Sequence, residues 1–205
     1  YKLESSEEFL LVATTRPETI FGDTAVAVNP NDMRYKKLIG KKLIVPLVNR
    51  AVPIVGDNSV DLEFGTGCLK VTPAHSEKDF EIGLRNNLDI IDVFNDDASL
   101  NGYGMHYKSL DRFSVRKKII NELDEKGLLD RSEDYSHNIA LSERTSCVVE
   151  PKLSTQWFVK MKKLSKPALE LVLNGDIQFY PKKYVKTYKN WLENIRDCNI
   201  SRQLY

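Results

Sequence analysis

The stretch Cys68-Leu-Lys-Val-Thr72-Pro-Ala-His75-Ser-Glu-Lys-Asp79-Phe80 sets the architecture. It opens as a strand. Apolar Leu69 and Val71 alternate with Cys68, Lys70 and Thr72, the two-residue period of an extended chain. Pro73 stops the strand, because it has no N–H to donate. Ser76 then offers a hydroxyl to the unpaired N–H groups of a helix start. Asp79 stands at the third helical position, an acidic form of the capping box. Phe80, Leu84 and Leu88 continue one face of that helix. Lys70 and Thr72 therefore share a face of the strand, and Asp79 follows them at the start of the helix.

Upstream, Phe9–Ala13, Thr24–Val28, Lys42–Pro46 and Ala51–Val55 are short apolar runs bounded by turn residues, and read as strands. Internal prolines such as Pro53 suit edge strands or bulges. Downstream, Asp111–Leu128 is the clearest helix: Phe113, Val115, Ile119, Ile120, Leu123 and Leu128 recur at helical spacing, and Gly127 suits a C-cap. Phe158–Leu173 and Tyr184–Ile195 also read as helices, with a strand and turn over Gly175–Pro181 between them. Strands come first and helices follow. That order predicts an α+β fold with a mostly antiparallel, barrel-like sheet and flanking helices, rather than alternating βαβ units.

The 205 residues allow one domain plus a small appendage. At 41 % hydrophobic and 29 % charged, the composition excludes collagen, a disordered tail and a coiled coil. No apolar run approaches the ~18 residues of a membrane span. Cys68, Cys147 and Cys198 form no Cys-x-x-Cys pair, so they give neither a disulfide framework nor a zinc knuckle, and free thiols suit the cytoplasm. The opening Tyr-Lys-Leu-Glu has neither Met nor an apolar leader. It reads as the start of a piece of a longer protein, with a processed mature protein as the alternative. His75, His106 and His137 form no His-x-x-x-His pair, so no metal is expected. Gly65-Thr-Gly67 precedes a strand rather than a helix and is no dinucleotide loop.

Two segments carry chemistry. In Ala13-Thr-Thr-Arg16-Pro-Glu18-Thr19-Ile-Phe-Gly-Asp-Thr24, clustered hydroxyls meet an arginine and a proline-fixed turn. Thr14, Thr15 and the backbone N–H groups can hold ribose hydroxyls or an ester, and Arg16 can bind a phosphate or lock the loop through Glu18. The same residues also suit a turn whose hydroxyls satisfy only their own backbone. In the second segment, Lys70, Thr72 and Asp79 can converge on one polar pocket. A carboxylate there suits an ammonium ligand, and Lys70 with Thr72 suits a carbonyl oxygen or a water. The bland alternative is a helix-start Asp79 and a solvated Lys70. His75, beside a proline, reads as a turn residue before it reads as a base.

Together these segments resemble the editing domain inserted in the class I aminoacyl-tRNA synthetases for valine, isoleucine and leucine. Thr14–Thr19 looks like that family's threonine-rich motif, and Gly65–Phe80 like the motif that ends in its shared aspartate. The leucine type lacks a match for Gly22–Val28, and Val149-Glu-Pro-Lys-Leu-Ser-Thr-Gln-Trp-Phe158, Asn190–Ile195 and Ile200-Ser-Arg-Gln-Leu204 look like the valine type. Ser76 departs from it, since an aspartate is usual there. The family's ATP-binding signatures, His-x-Gly-His and Lys-Met-Ser-Lys-Ser, are absent.

The resemblance implies an aminoacyl-tRNA deacylase without aminoacylation by these residues alone. Its substrate would be threonine esterified to valine tRNA, or threonyl-adenylate. Lys70, Thr72 and Asp79 would be catalytic. Thr14, Thr15, Arg16, Glu18, Thr19, His75, Ser76 and Asp79 would bind substrate. No cofactor is implied for editing, while the full-length enzyme would use ATP and Mg. The partners would be the acceptor end of valine tRNA and the rest of the synthetase in cis, with no membrane. The alternatives are an isoleucyl- or leucyl-type editing domain and a non-catalytic tRNA-docking module.

The near-neutral total charge of +1 hides a division. Residues 1–150, read as the editing domain, carry 19 basic and 25 acidic side chains, a net of −6. Residues 151–205, read as a helical junction toward the catalytic body, carry 11 and 4, a net of +7. Lys160, Lys162, Lys163, Lys182, Lys183 and Lys186 are its candidate tRNA-phosphate contacts. A solvated helix surface is the alternative.

Overall fold

The computed structural model describes residues 1–63 and 65–202, and divides the chain into two units, Tyr1–Leu153 and Ser154–Tyr205. Phe64 and the last two residues of the Ile200–Leu204 motif lie outside the described residues.

The first unit starts with β1 (Lys2–Leu3), then a 3-10 helix over Pro17–Gly22, β2 (Ala25–Val28), β3 (Lys42–Val45), β4 (Arg50–Gly56) and β5 (Cys68–Val71). α1 (Glu77–Asn86) follows, then a 3-10 helix over Gly102–Tyr107, and α2 (Arg112–Glu125). The strands form one sheet in the order β1-β3-β4-β2-β5. Three of its pairings are antiparallel, and β2 with β4 is parallel. The sheet is mixed and mostly antiparallel, as expected, with helices around it. It is open rather than barrel-like, because β1 and β5 end the order and no ladder joins them among the described residues.

β2 explains how the sheet carries two cores. Val26 and Val28 enter the larger cluster with Phe21, Leu43, Ile54, Val115 and Ile119. Ala25 and Ala27 point the other way, into a smaller cluster with Val71 and Ile82 of α1. The two-residue period thus sends alternate side chains to opposite faces of a fully buried strand. α1 starts as the sequence implies, with the Ser76 hydroxyl accepting the Asp79 N–H at 3.3 Å. Its buried positions are Asp79, Ile82 and Gly83; Leu84 is exposed, while Leu88, just past the helix end, packs against the Ile82 cluster, so only part of the Phe80-Leu84-Leu88 stripe meets the core. In α2, Asp111 caps and Val115 and Ile119 are buried, with Gly127 at φ +65° past the end.

Two other expectations change in this unit. Phe9–Ala13 forms no strand: only Phe9 bridges, to Lys2, because β1 takes β3 as its ladder partner. Pro53 lies in the sheet interior rather than at an edge. β4 pairs with β3 through Pro53 and with β2 from Ile54 onward, so the proline sits at the changeover. Ile54 donates to the Lys41 carbonyl at 2.8 Å, so the ladder needs no donor from Pro53.

The second unit contains β6 (Phe158–Val159), α3 (Met161–Leu173), α4 (Tyr184–Glu193) and β7 (Cys198–Asn199). β6 pairs antiparallel with β7, and Phe179 packs on Tyr188 with ring centroids 5.0 Å apart. Gly175–Pro181 holds turns and bends but no strand.

Candidate functional site

The two motif segments meet at β5. Lys70 and Thr72 share a face, and the register Val26↔Lys70 sets them beside the start of β2. The 3-10 helix delivers Thr19 and Asp23 to the same place. Its last residue, Gly22, is tightly packed: a Cβ there would lie 2.8 Å from the Ile91 carbonyl and 3.0 Å from Thr72 Cγ2. Only glycine lets Asp23 approach Thr72 so closely.

The result is a buried polar knot. Lys70 Nζ donates to Thr19 Oγ1 at 2.7 Å, Asp23 Oδ1 at 2.8 Å and Thr72 Oγ1 at 2.6 Å. An ammonium has three donors, so Lys70 is saturated. Thr72 Oγ1 passes its own hydrogen to Asp23 Oδ1 at 2.6 Å, and the Tyr1 hydroxyl donates to Asp23 Oδ2. Burial and the Asp23 carboxylate both hold the Tyr1 phenol well above its ordinary pKa. Such a network is stable only because every member is satisfied.

Asp79 differs. Its Oδ2 accepts the Thr72 backbone N–H at 2.9 Å, but it forms no ion pair among the described residues. It is 8 % exposed. Burial raises its carboxyl above the ordinary carboxylate range, against the opposing pull of the Thr72 N–H and the Lys70 charge. A buried carboxylate without a cation is a site that a cationic ligand would stabilise.

Around this pair lies an arginine clasp. Arg16 Nη1 donates to the His75 carbonyl at 2.8 Å, and Nη2 to Glu150. Glu18, fully buried, is gripped from α2 by Arg116 at 2.9 and 2.6 Å. His75 is 2 % exposed. Its Nε2 accepts the Val93 N–H at 3.0 Å and its ring meets Phe94 edge-on at 4.8 Å. Burial lowers its pKa to about 4, so it is neutral at physiological pH. Among the described residues no group of three or more His, Cys, Asp and Glu side chains is placed to hold a metal ion.

Residues 18–205 match the family described as tRNA synthetases class I (I, L, M and V). The chain belongs to that family. It is 57 % identical over its whole length to the valine–tRNA ligase of Christiangramia forsetii, and 53 % to that of Clostridium tetani, covering 23 % of each. It is 52 % identical to that of Thermotoga maritima, covering 24 % of it. The synthetase chain therefore spans about a quarter of these relatives' length. In fold it is similar to a crystal structure of an Agrobacterium radiobacter K84 LeuRS ternary complex with tRNA and LeuAMS. The TM-score is 0.50 and the identity 24 %, over 61 % of this chain and 18 % of that one.

The synthetase chain distributes its expected site residues unevenly. Lys70, Thr72 and Asp79 do converge. Thr14 and Thr15 are exposed, and Thr14 Oγ1 accepts the Arg16 N–H at 3.0 Å. Ser76 is half-buried as the α1 cap. Glu18, Thr19 and His75 are buried with their polar groups turned to protein partners, His75 Nδ1 excepted. Lys160, Lys162, Lys163, Lys182, Lys183 and Lys186 are exposed on the second unit, around α3 and α4. Sequence reasoning passed over Asp23, Tyr1 and Glu150. Asp23 had a usable signal: an acid two residues before the apolar strand Ala25–Val28, where a buried Lys70 needs a counter-charge. No helix is long and apolar enough to cross a membrane among the described residues.

Proposed function

We propose that the first unit is the editing site of a valine–tRNA ligase, hydrolysing threonine from mischarged valine tRNA. The observation that carries this reading is Asp79, a buried carboxylate that forms no ion pair among the described residues. The α-ammonium of an aminoacyl ester supplies a cation, through a charge-assisted hydrogen bond. The exposed Thr14–Thr15 loop receives the terminal ribose. Water attacks the ester carbonyl carbon, the bond to the ribose oxygen breaks, and threonine and free tRNA leave. An activated ester needs chiefly a positioned water, so no cofactor enters the step.

Lys70 acts differently from the first expectation. Its three donors are occupied, so it contributes positive potential and holds Thr72, while Asp23 keeps both in register. The demand for such a site is physical. An apolar synthetic pocket poorly rejects an isostere that adds a hydroxyl; the valine enzyme facing threonine is a standing example of that limit. The basic second unit would contact tRNA phosphates, with the rest of the synthetase in cis. The test is to present preformed threonyl and valyl esters of valine tRNA to the full-length protein. Selective release of threonine is expected. Equal rates on both esters, or no release, would overturn the reading.

A further inference from the structure

We infer that Glu150, in the Val149-Glu-Pro-Lys152 stretch, is a positioning residue for this deacylation and acts through Arg16. The inference rests on the editing reading above. Glu150 bridges two arginines from distant parts of the chain. Its Oε1 accepts Arg16 Nη2, and its Oε2 lies 3.3 Å from Arg112 Nε at the start of α2. Arg112 is itself buried and anchors the same stretch by donating to the Val148 carbonyl at 3.0 Å.

Arg16 uses its other terminal nitrogen on the His75 carbonyl, four positions before Asp79. One guanidinium thus ties the loop that carries Thr14 and Thr15 to the segment that leads into Asp79. Glu150 fixes which way that guanidinium points. A planar fork held at both ends has one orientation, and a fork released at one end has several. Without Glu150, the part-buried Arg16 keeps the His75 carbonyl and a longer 3.7 Å contact of its Nε with Glu18, a carboxylate already engaged by Arg116, so its Nη2 end is released and the guanidinium can swing. Glu150 also borders a cavity of about 190 Å³ with His75, Asp92, Phe94 and Lys152, so no packed apolar wall replaces its grip. The residue touches no reacting atom. It sets the distance between the ribose side and the ammonium side of the site, and small misplacement of such elements costs up to about a hundredfold in rate.

The experiment compares full-length wild type, E150Q and E150D on preformed threonyl-tRNA, with valine charging measured in parallel. E150Q keeps the size and removes the charge, while E150D restores the charge on a shorter arm. The expected result is a fall of about tenfold or more in kcat/KM for deacylation by E150Q, with charging unchanged and partial recovery in E150D. Wild-type deacylation by E150Q overturns the inference alone. A parallel fall in charging and deacylation also overturns it, since Glu150 would then serve only the fold. A wild-type enzyme that leaves threonyl-tRNA intact overturns the editing reading, and this inference with it.

Discussion

Lys70 Nζ lies 2.8 Å from Asp23 Oδ1, both side chains buried, in a network that also holds Thr19, Thr72 and Tyr1. Removing one member of such a pair strands a buried charge. Lys70→Met should therefore destabilise the chain by about 3–5 kcal/mol. The double variant Lys70→Met with Asp23→Leu should recover part of that loss, since it removes the stranded charge but takes the acceptor from the Tyr1 and Thr72 hydroxyls. Urea unfolding of the single and double variants measures both, and additive losses would contradict the pairing.

Gly22→Ala tests the close approach that builds the knot. The added Cβ would meet the Ile91 carbonyl, Thr72 Cγ2 and Val93 Cγ1 at 2.8–3.1 Å. Two of those neighbours are not free to swing away. We expect a loss of about 1–3 kcal/mol in denaturant unfolding, the range for overpacked interiors.

His75 makes a pH prediction with a definite sign. Its pKa is about 4 in the fold, against 6.5 for the free side chain. Between those values the unfolded chain binds more protons, so stability falls as pH drops from about 6.5 to about 4. The loss amounts to roughly 3 kcal/mol. His75→Asn should flatten this part of the profile. Melting temperatures of both proteins at pH 7 and pH 5 decide it, and parallel slopes would rule His75 out.

The second unit makes an electrostatic prediction. Replacing Lys162, Lys163, Lys182 and Lys183 with Gln in the full-length protein should weaken valine tRNA binding and flatten its dependence on salt. Retention of both affinity and salt slope would leave these lysines as a solvated surface.

How far the sequence revealed the molecule depended on range. The break at Pro73 and the Ser76 cap are local chemistry, and both are where the residues put them. So are the strands that begin at Ala25, Lys42 and Arg50 and the helix capped by Asp111. What escaped was pairing. Nothing local told Phe9–Ala13 that β3 would pair with Lys2–Leu3, or told Pro53 that it would mark a change of partner in mid-sheet. The site followed the same rule. Lys70, Thr72 and Asp79 fall close in sequence and were legible as a cluster. Tyr1, Asp23 and Glu150 reach it across tens of residues, and their contributions depend on the tertiary fold.

Asp79 also sets a pH limit on activity. Its raised pKa means that acid neutralises it sooner than an ordinary aspartate. If it holds the substrate ammonium, deacylation should fall on acidification from a higher pH than an exposed carboxylate would give. A pH–rate profile of kcat/KM for threonyl-tRNA reads this directly.

The most direct measurement replaces Asp79 with Asn in the full-length protein, keeping shape and removing charge. Threonyl-tRNA deacylation is then followed beside valine charging. The account predicts that deacylation collapses by about a hundredfold while charging persists, so that threonyl-tRNA accumulates. Deacylation at the wild-type rate would contradict it, because the buried carboxylate would then have no part in binding the substrate.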